Sequence, residues 1–135
     1  MPIPNVTRFV RSGKIGDNAA NACVVSNVLD FSQLNVAAND VVGALKIDPG
    51  TVVLAVGVKC ITPQGAAATV KIGDQSAADK YLGATDANTD ATDAGAPVAN
   101  PVYYKAEDTI TVTPSAALTK AKLYVWAVIA KVINQ

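Results

Sequence analysis

The chain has 135 residues, enough for one domain that buries roughly two-thirds of its unfolded surface. Its 11 Lys and Arg balance 11 Asp and Glu, so charge predicts no general attraction to nucleic acid. It contains no His, one Glu (Glu107) and two Cys, so His-based acid–base and nucleophilic catalysis has nothing to be built from.

Residues 1–20 carry no strand or helix period and include Pro2, Pro4, Gly13 and Gly16. Pro fixes its own φ and biases the preceding residue toward extended backbone. An extended N-terminal arm is therefore expected over 1–20, ahead of a β-sandwich domain over 21–135. The arm's Ile3, Val6, Phe9, Val10 and Ile15 require cover from the domain or from a neighbour. No secretory signal is expected, because Met1, Pro2, Ile3 and Pro4 lead into a polar, charged stretch instead of an apolar core.

Apolar residues then alternate with period two, the signature of a strand with one hidden face. Over 22–31, Cys23, Val25, Leu29 and Phe31 form the expected inward row, with Ser26 and Asp30 opposite. A polar connection follows over 32–39. Val41, Gly43, Leu45 and Ile47 form the next inward row, with Val42, Ala44 and Lys46 opposite. Asp48, Pro49 and Gly50 read as a turn in which Gly takes the positive-φ position. Val52, Leu54, Val56, Val58 and Cys60 make a third inward row. The opposite face, Val53, Ala55, Gly57 and Lys59, is small enough for a neighbour to approach closely.

A turn at Pro63, Gln64 and Gly65 leads to a strand over 68–73 with Val70 and Ile72 inward. A loop over 74–79 and a short strand at Tyr81 and Leu82 come next. Residues 83–101, rich in Gly, Ala, Thr and Asp, have no pattern and read as a long functional loop. Strands at 102–104, 109–113 and 118–132 end the chain. In the last, Leu123, Val125, Ala127 and Ile129 form one apolar row. The other row, Lys120, Lys122, Tyr124, Trp126 and Val128, is too apolar for open water and is expected to be covered. About eight antiparallel strands without an amphipathic helix predict an all-β, jelly-roll-like β-sandwich.

Cys23 and Cys60 both lie in apolar strand patterns and are expected as buried free thiols in a reducing cytosol, a single bridge between them being the alternative. The longest apolar runs, 52–58 and 123–130, fall well short of the roughly 20 residues of a membrane helix, so no membrane partner is expected. Asp74, Asp79, Asp86, Asp90 and Asp93 lie close in sequence. Such residues cap turns through backbone amides, and as hard oxygen ligands they also admit calcium; the turn role is the expectation, with no cofactor. Glu107 and Asp108 are adjacent, hence on opposite faces of a strand, and read as polar residues opening the strand at Thr109. Tyr103, Tyr104, Tyr124 and Trp126 read as packing at a subunit interface, or as a platform for ligand stacking.

Several segments together resemble small tailed-bacteriophage proteins: DVVGALKIDPGTVVLAVGV over 40–58, ATVKIGD over 68–74 with DKYL over 79–82, and YYKAEDTITVT over 103–113. With these motifs, roughly residues 22–132 look like the jelly-roll decoration, or cement, proteins on the outside of phage heads. The resemblance implies a structural virion protein on the capsid exterior, assembled in the host bacterial cytoplasm. It would bind the major capsid protein, form a dimer or trimer, and contact neither nucleic acid nor membrane. Ile3, Arg8, Phe9, Arg11 and Lys14 are the arm residues expected to meet the capsid, since Arg and aromatic side chains dominate interface energy. The rival reading is a carbohydrate- or receptor-binding module of a head fibre or tail, using Tyr103, Tyr104, Tyr124 and Trp126 with the 83–101 loop. An enzyme is the third.

Overall fold

The computed structural model describes residues 22–89 and 93–132. In chain order it forms β1 (Ala22–Asp30), the single helical turn α1 (Phe31–Leu34), β2 (Val42–Ile47), β3 (Thr51–Thr62), β4 (Thr69–Gly73), β5 (Leu82–Asp86), β6 (Asp93–Tyr104), β7 (Asp108–Pro114) and β8 (Lys122–Lys131). Two four-stranded sheets result, ordered β1-β8-β3-β6 and β2-β7-β4-β5, and every pairing is antiparallel. The pairs β1–β8, β2–β7, β3–β6 and β4–β5 nest, first strand with last and so inward. This is one long hairpin rolled over itself, the jelly-roll arrangement, as the strand count predicts.

The core lies between the sheets. Val53, Val56, Leu123, Val125 and Ala127 face Ile47, Val70, Ile72, Ile110 and Val112 across the gap, all essentially inaccessible. The inward row expected for β8 is correct, as are Val70 and Ile72 on β4. Gly50 takes φ +81° in the β2–β3 turn, as the turn chemistry requires.

Several expectations fail for identifiable reasons. β1 ends at Asp30, whose carboxylate accepts the Ser32 amide at 3.1 Å and caps α1, so Phe31 reaches the core from a helical turn. On β2 the register shifts between Gly43 and Leu45; Val41 is left 64% exposed before the strand, and Ala44 is buried. On β3 the register shifts between Val53 and Ala55, so the inward row is Thr51 and Val53, then Val56, Val58 and Cys60. Val52 and Leu54 are only half-buried. A bulge adds one residue and inverts the face of everything beyond it, which strict alternation cannot reveal.

The expected long loop over 83–101 is not what forms. Most of these residues belong to β5 and β6. Their Gly, Ala, Asp and Pro content hides the strand signal, and β6 tolerates Pro97 and Pro101 because it is a sheet edge. The two sulfurs are not bonded to each other. Cys60 is buried and donates to the Ala87 carbonyl at 3.6 Å, whereas Cys23, on edge strand β1, is exposed.

One buried polar side chain ties the turns together. Gln64 Oε1 accepts the amides of Thr119, Lys120 and Ala121, each at 3.0 Å, and its Nε2 donates to Thr119 Oγ1 at 3.1 Å. It thereby fixes the β3–β4 turn to the start of β8. Gln64→Leu keeps the bulk but leaves these amides without an acceptor, and is expected to cost about 2–3 kcal/mol in urea denaturation. Gln64→Glu, which retains the acceptor, is expected to recover most of that loss.

Candidate interaction surface

The side of β1-β8-β3-β6 facing away from the core is built row by row by the strand registers. Directly opposed residues share a face. Asp30 stands opposite Lys122, Val28 opposite Tyr124, Ser26 opposite Trp126, Val24 opposite Val128 and Ala22 opposite Ala130. Across β8, Tyr124 meets Lys59, Trp126 meets Gly57, Val128 meets Ala55 and Ala130 meets Val52. On β6, Gly95 continues the Gly57 row and Tyr103 the Val52 row. The result is a broad, largely apolar face, with Val24, Val28 and Tyr103 exposed at 64%, 48% and 49%.

Trp126 anchors it. A Cβ at Gly57 would lie 2.1 Å from the Trp126 ring, and one at Gly95 would lie 2.5 Å from it. The indole therefore lies flat across β3 toward β6, over two backbones that have no side chain. This meets the expectation that the small face of β3 admits a close neighbour.

The four aromatic residues do not form one platform. Tyr124 and Trp126 are adjacent on the outer face, but Tyr103 sits near the level of Ala130, about 13 Å along the strands from Trp126. Tyr104 points the other way and is buried. Its hydroxyl donates to Asp74 Oδ2 at 2.7 Å and accepts from the Tyr81 hydroxyl. Lys80 Nζ lies 3.1 Å from the same carboxylate oxygen and 5.9 Å from the centre of the Tyr104 ring.

Asp74 Oδ1 accepts the amides of Ser76 and Ala77 at 2.8 and 3.2 Å, and the Ser76 hydroxyl at 2.6 Å. The carbonyl of Ala77 comes so close to Gly73 that a Cβ there would clash at 2.0 Å. Burial pushes the Asp74 pKa up, but bonds from Ser76, Tyr104 and Lys80 outweigh it and hold the carboxyl well below the usual range. Burial, the Tyr81 contact and the Asp74 charge push the Tyr104 phenol far up. Asp86 likewise caps its own turn, accepting the Asn88 amide at 2.8 Å and the Thr89 hydroxyl. Turn capping is thus what Asp74 and Asp86 do.

Ile3, Arg8, Phe9, Arg11 and Lys14 lie outside the described residues, as does the whole 1–20 segment. Sequence reasoning missed Val24 and Val28 as surface residues, although both share the face assigned there to Ser26 and Asp30. It also missed Gln64, which no local pattern marks.

No protein-family model matches the chain, and no curated protein matches it. Solved structures do. A chain in the acidic stable capsid of Helicobacter pylori bacteriophage KHP30 matches 81% of this chain and 86% of its own length, at 12% identity and TM-score 0.60. A chain of the cyanophage Pam1 capsid asymmetric unit matches 84% and 86%, at 18% identity and TM-score 0.64. A chain in the capsid of Ralstonia phage GP4 matches 90% and 91%, at 10% identity and TM-score 0.63. At such identities the likeness is one of fold, and it extends over nearly the whole sandwich.

Two variants probe these anchors. Gly57→Val is expected to lift the indole off β3, shifting the emission of the single tryptophan to longer wavelength and costing about 1–3 kcal/mol. Asp74→Asn is expected to cost about 2–3 kcal/mol at neutral pH. Because the folded pKa of Asp74 lies below its unfolded value, its contribution is complete above about pH 4. The stability gap between wild type and Asp74→Asn, measured by thermal melts against pH, should therefore hold from pH 7 to about 4 and shrink below that.

Proposed function

We propose that this chain is a structural protein of a phage virion, a decoration or cement protein that sits on the outside of the head and bridges neighbouring major capsid protein subunits. The observation that carries the reading is the fold-wide likeness to chains of three phage capsids over 81–90% of this sequence. The apolar outer face of β1-β8-β3-β6 supports it, since contiguous exposed apolar residues such as Val24 and Val28 suit a protein partner.

The physical role is mechanical and involves no catalysis. A protein that binds the assembled shell, but not its separated subunits, stabilises the shell by mass action. Repeated attachment over a symmetric surface adds avidity. The rigid sandwich supplies a body of fixed shape, and the preceding segment, with Ile3, Arg8, Phe9, Arg11 and Lys14, is the part assigned to the capsid contact.

The test is co-sedimentation with expanded heads of the parent phage that lack the chain. Wild type is expected to bind and to raise the temperature at which the shell disrupts. Arg8→Ala, Phe9→Ala and Arg11→Ala together are expected to weaken binding at least 30-fold, taking about 2 kcal/mol as the cost of one hot-spot truncation. Full binding by the triple variant would remove the arm from the reading, and no binding by wild type would end it.

A further inference from the structure

The free edges of the two sheets are treated very differently. β6, at one edge, carries Pro97 and Pro101. Its pairing jumps from Val102 opposite Val53 to Pro97 opposite Ala55, so residues 98–101 form a bulge opposite Leu54 alone. Proline and a bulge are the devices that stop an edge from recruiting another strand. In the other sheet, β5 has five residues with a register shift, and β2 has a bulge at Ala44 and an exposed Lys46.

β1 has none of these devices. It runs nine residues in unbroken register with β8, contains no Pro, Gly or Lys, and is neutral until Asp30. No strand of the described residues pairs with its outer edge. Among them it is the one long, regular edge left open.

Its sequence is close to self-complementary about Ser26. With two copies antiparallel and related by a two-fold axis through Ser26, Val24 falls opposite Val28 of the second copy, Ser26 opposite Ser26, Cys23 opposite Leu29 and Ala22 opposite Asp30. Keeping both cores on the same side of a joined sheet requires residues of equal parity to pair. Of the registers that satisfy this, only the one through Ser26 uses all nine residues, and it brings together the two large apolar side chains that the strand exposes, Val24 and Val28. It also places each Asp30 opposite an Ala, at opposite ends, so like charges do not meet. Behind Val24 and Val28 stand Val128 and Tyr124, so the apolar face would run unbroken from one copy to the next.

We infer that β1 is a self-association edge: two copies of this chain pair β1 to β1 about Ser26, joining their sheets into one of eight strands. The inference stands apart from the capsid reading, because its test uses the isolated full-length protein.

Sedimentation velocity over a concentration series is expected to show a monomer–dimer equilibrium. Val24→Lys with Val28→Lys, two exposed edge positions whose substitution should leave the circular dichroism and melting temperature near wild type, is expected to raise the dimer dissociation constant at least tenfold. Ser26→Cys in a Cys23→Ser background should form an inter-chain disulfide on mild oxidation, since directly opposed strand positions fall within disulfide reach. Ser32→Cys in the same background, on exposed α1 beyond the paired segment, should not. A protein that stays monomeric would overturn the proposal. So would an oligomer that ignores the double-lysine change and gives no Ser26→Cys cross-link, since its contact would then lie on another surface or in residues 1–21.

Discussion

The register shift opposite Leu54 decides what the outer surface looks like. β3 is hydrogen-bonded on both sides, to β8 and to β6, and both pairings shift at the same place, between Val53 and Ala55. Before it Thr51 and Val53 point into the core; after it Val56, Val58 and Cys60 do. Without the extra residue, Gly57 and Lys59 would point inward, and a lysine would be buried without a partner at a cost of several kcal/mol. With it, Lys59 reaches solvent and Gly57 turns outward to receive Trp126. One inserted residue thus keeps Lys59 out of the core, where Thr51 is the polar side chain that β3 turns inward, and builds the seat for the indole.

Where ladders cannot reach, two buried polar side chains hold the connections. Gln64 carries three consecutive amides at the entrance to β8, and Asp74 carries two amides, two hydroxyls and an ammonium at the β4–β5 turn. Both are almost inaccessible, and each satisfies one buried donor, the Ala121 amide for Gln64 and the Tyr104 hydroxyl for Asp74, besides several partly buried ones. Asp74 reaches further, because Tyr104 lies on β6 of the facing sheet. Its carboxylate therefore locks the β4–β5 turn of one sheet to the end of an edge strand of the other.

The sequence is legible where one face of a strand is purely apolar and the pairing is unbroken, as in β4 and β8. It is also legible in chemistry that needs a particular residue, such as Gly50 at positive φ. It misleads at Leu54 and Ala44, where a bulge silently inverts the phase, and over 83–101, where edge strands use Gly, Ala, Asp and Pro that resemble loop. At β1 the alternation is visible, but of its expected inward row on the strand Leu29 is buried, Val25 is half-buried and Cys23 is exposed. The aromatic residues show the limit of composition. Tyr103 and Tyr104 are neighbours in sequence but have opposite fates, one on the surface and one donating to a buried carboxylate. Function is less legible than fold, because a surface that works by shape leaves no short motif.

The asymmetry between the two edges of β1-β8-β3-β6 has a consequence for assembly. A sheet open at both edges can add copies without limit, and a head-to-tail contact that does not close makes a fibre. Here β6 is blocked by its prolines and by the bulge at residues 98–101, while β1 is regular. If β1 pairs with β1, the same strand serves both copies, so each copy would spend the one long regular edge among the described residues and present a blocked one outward. Growth by strand addition through this sheet would then stop at two. The low β-propensity of residues 93–101, which hides β6 in the sequence, is on this argument what keeps an apolar, eight-stranded chain from polymerising through its sheets.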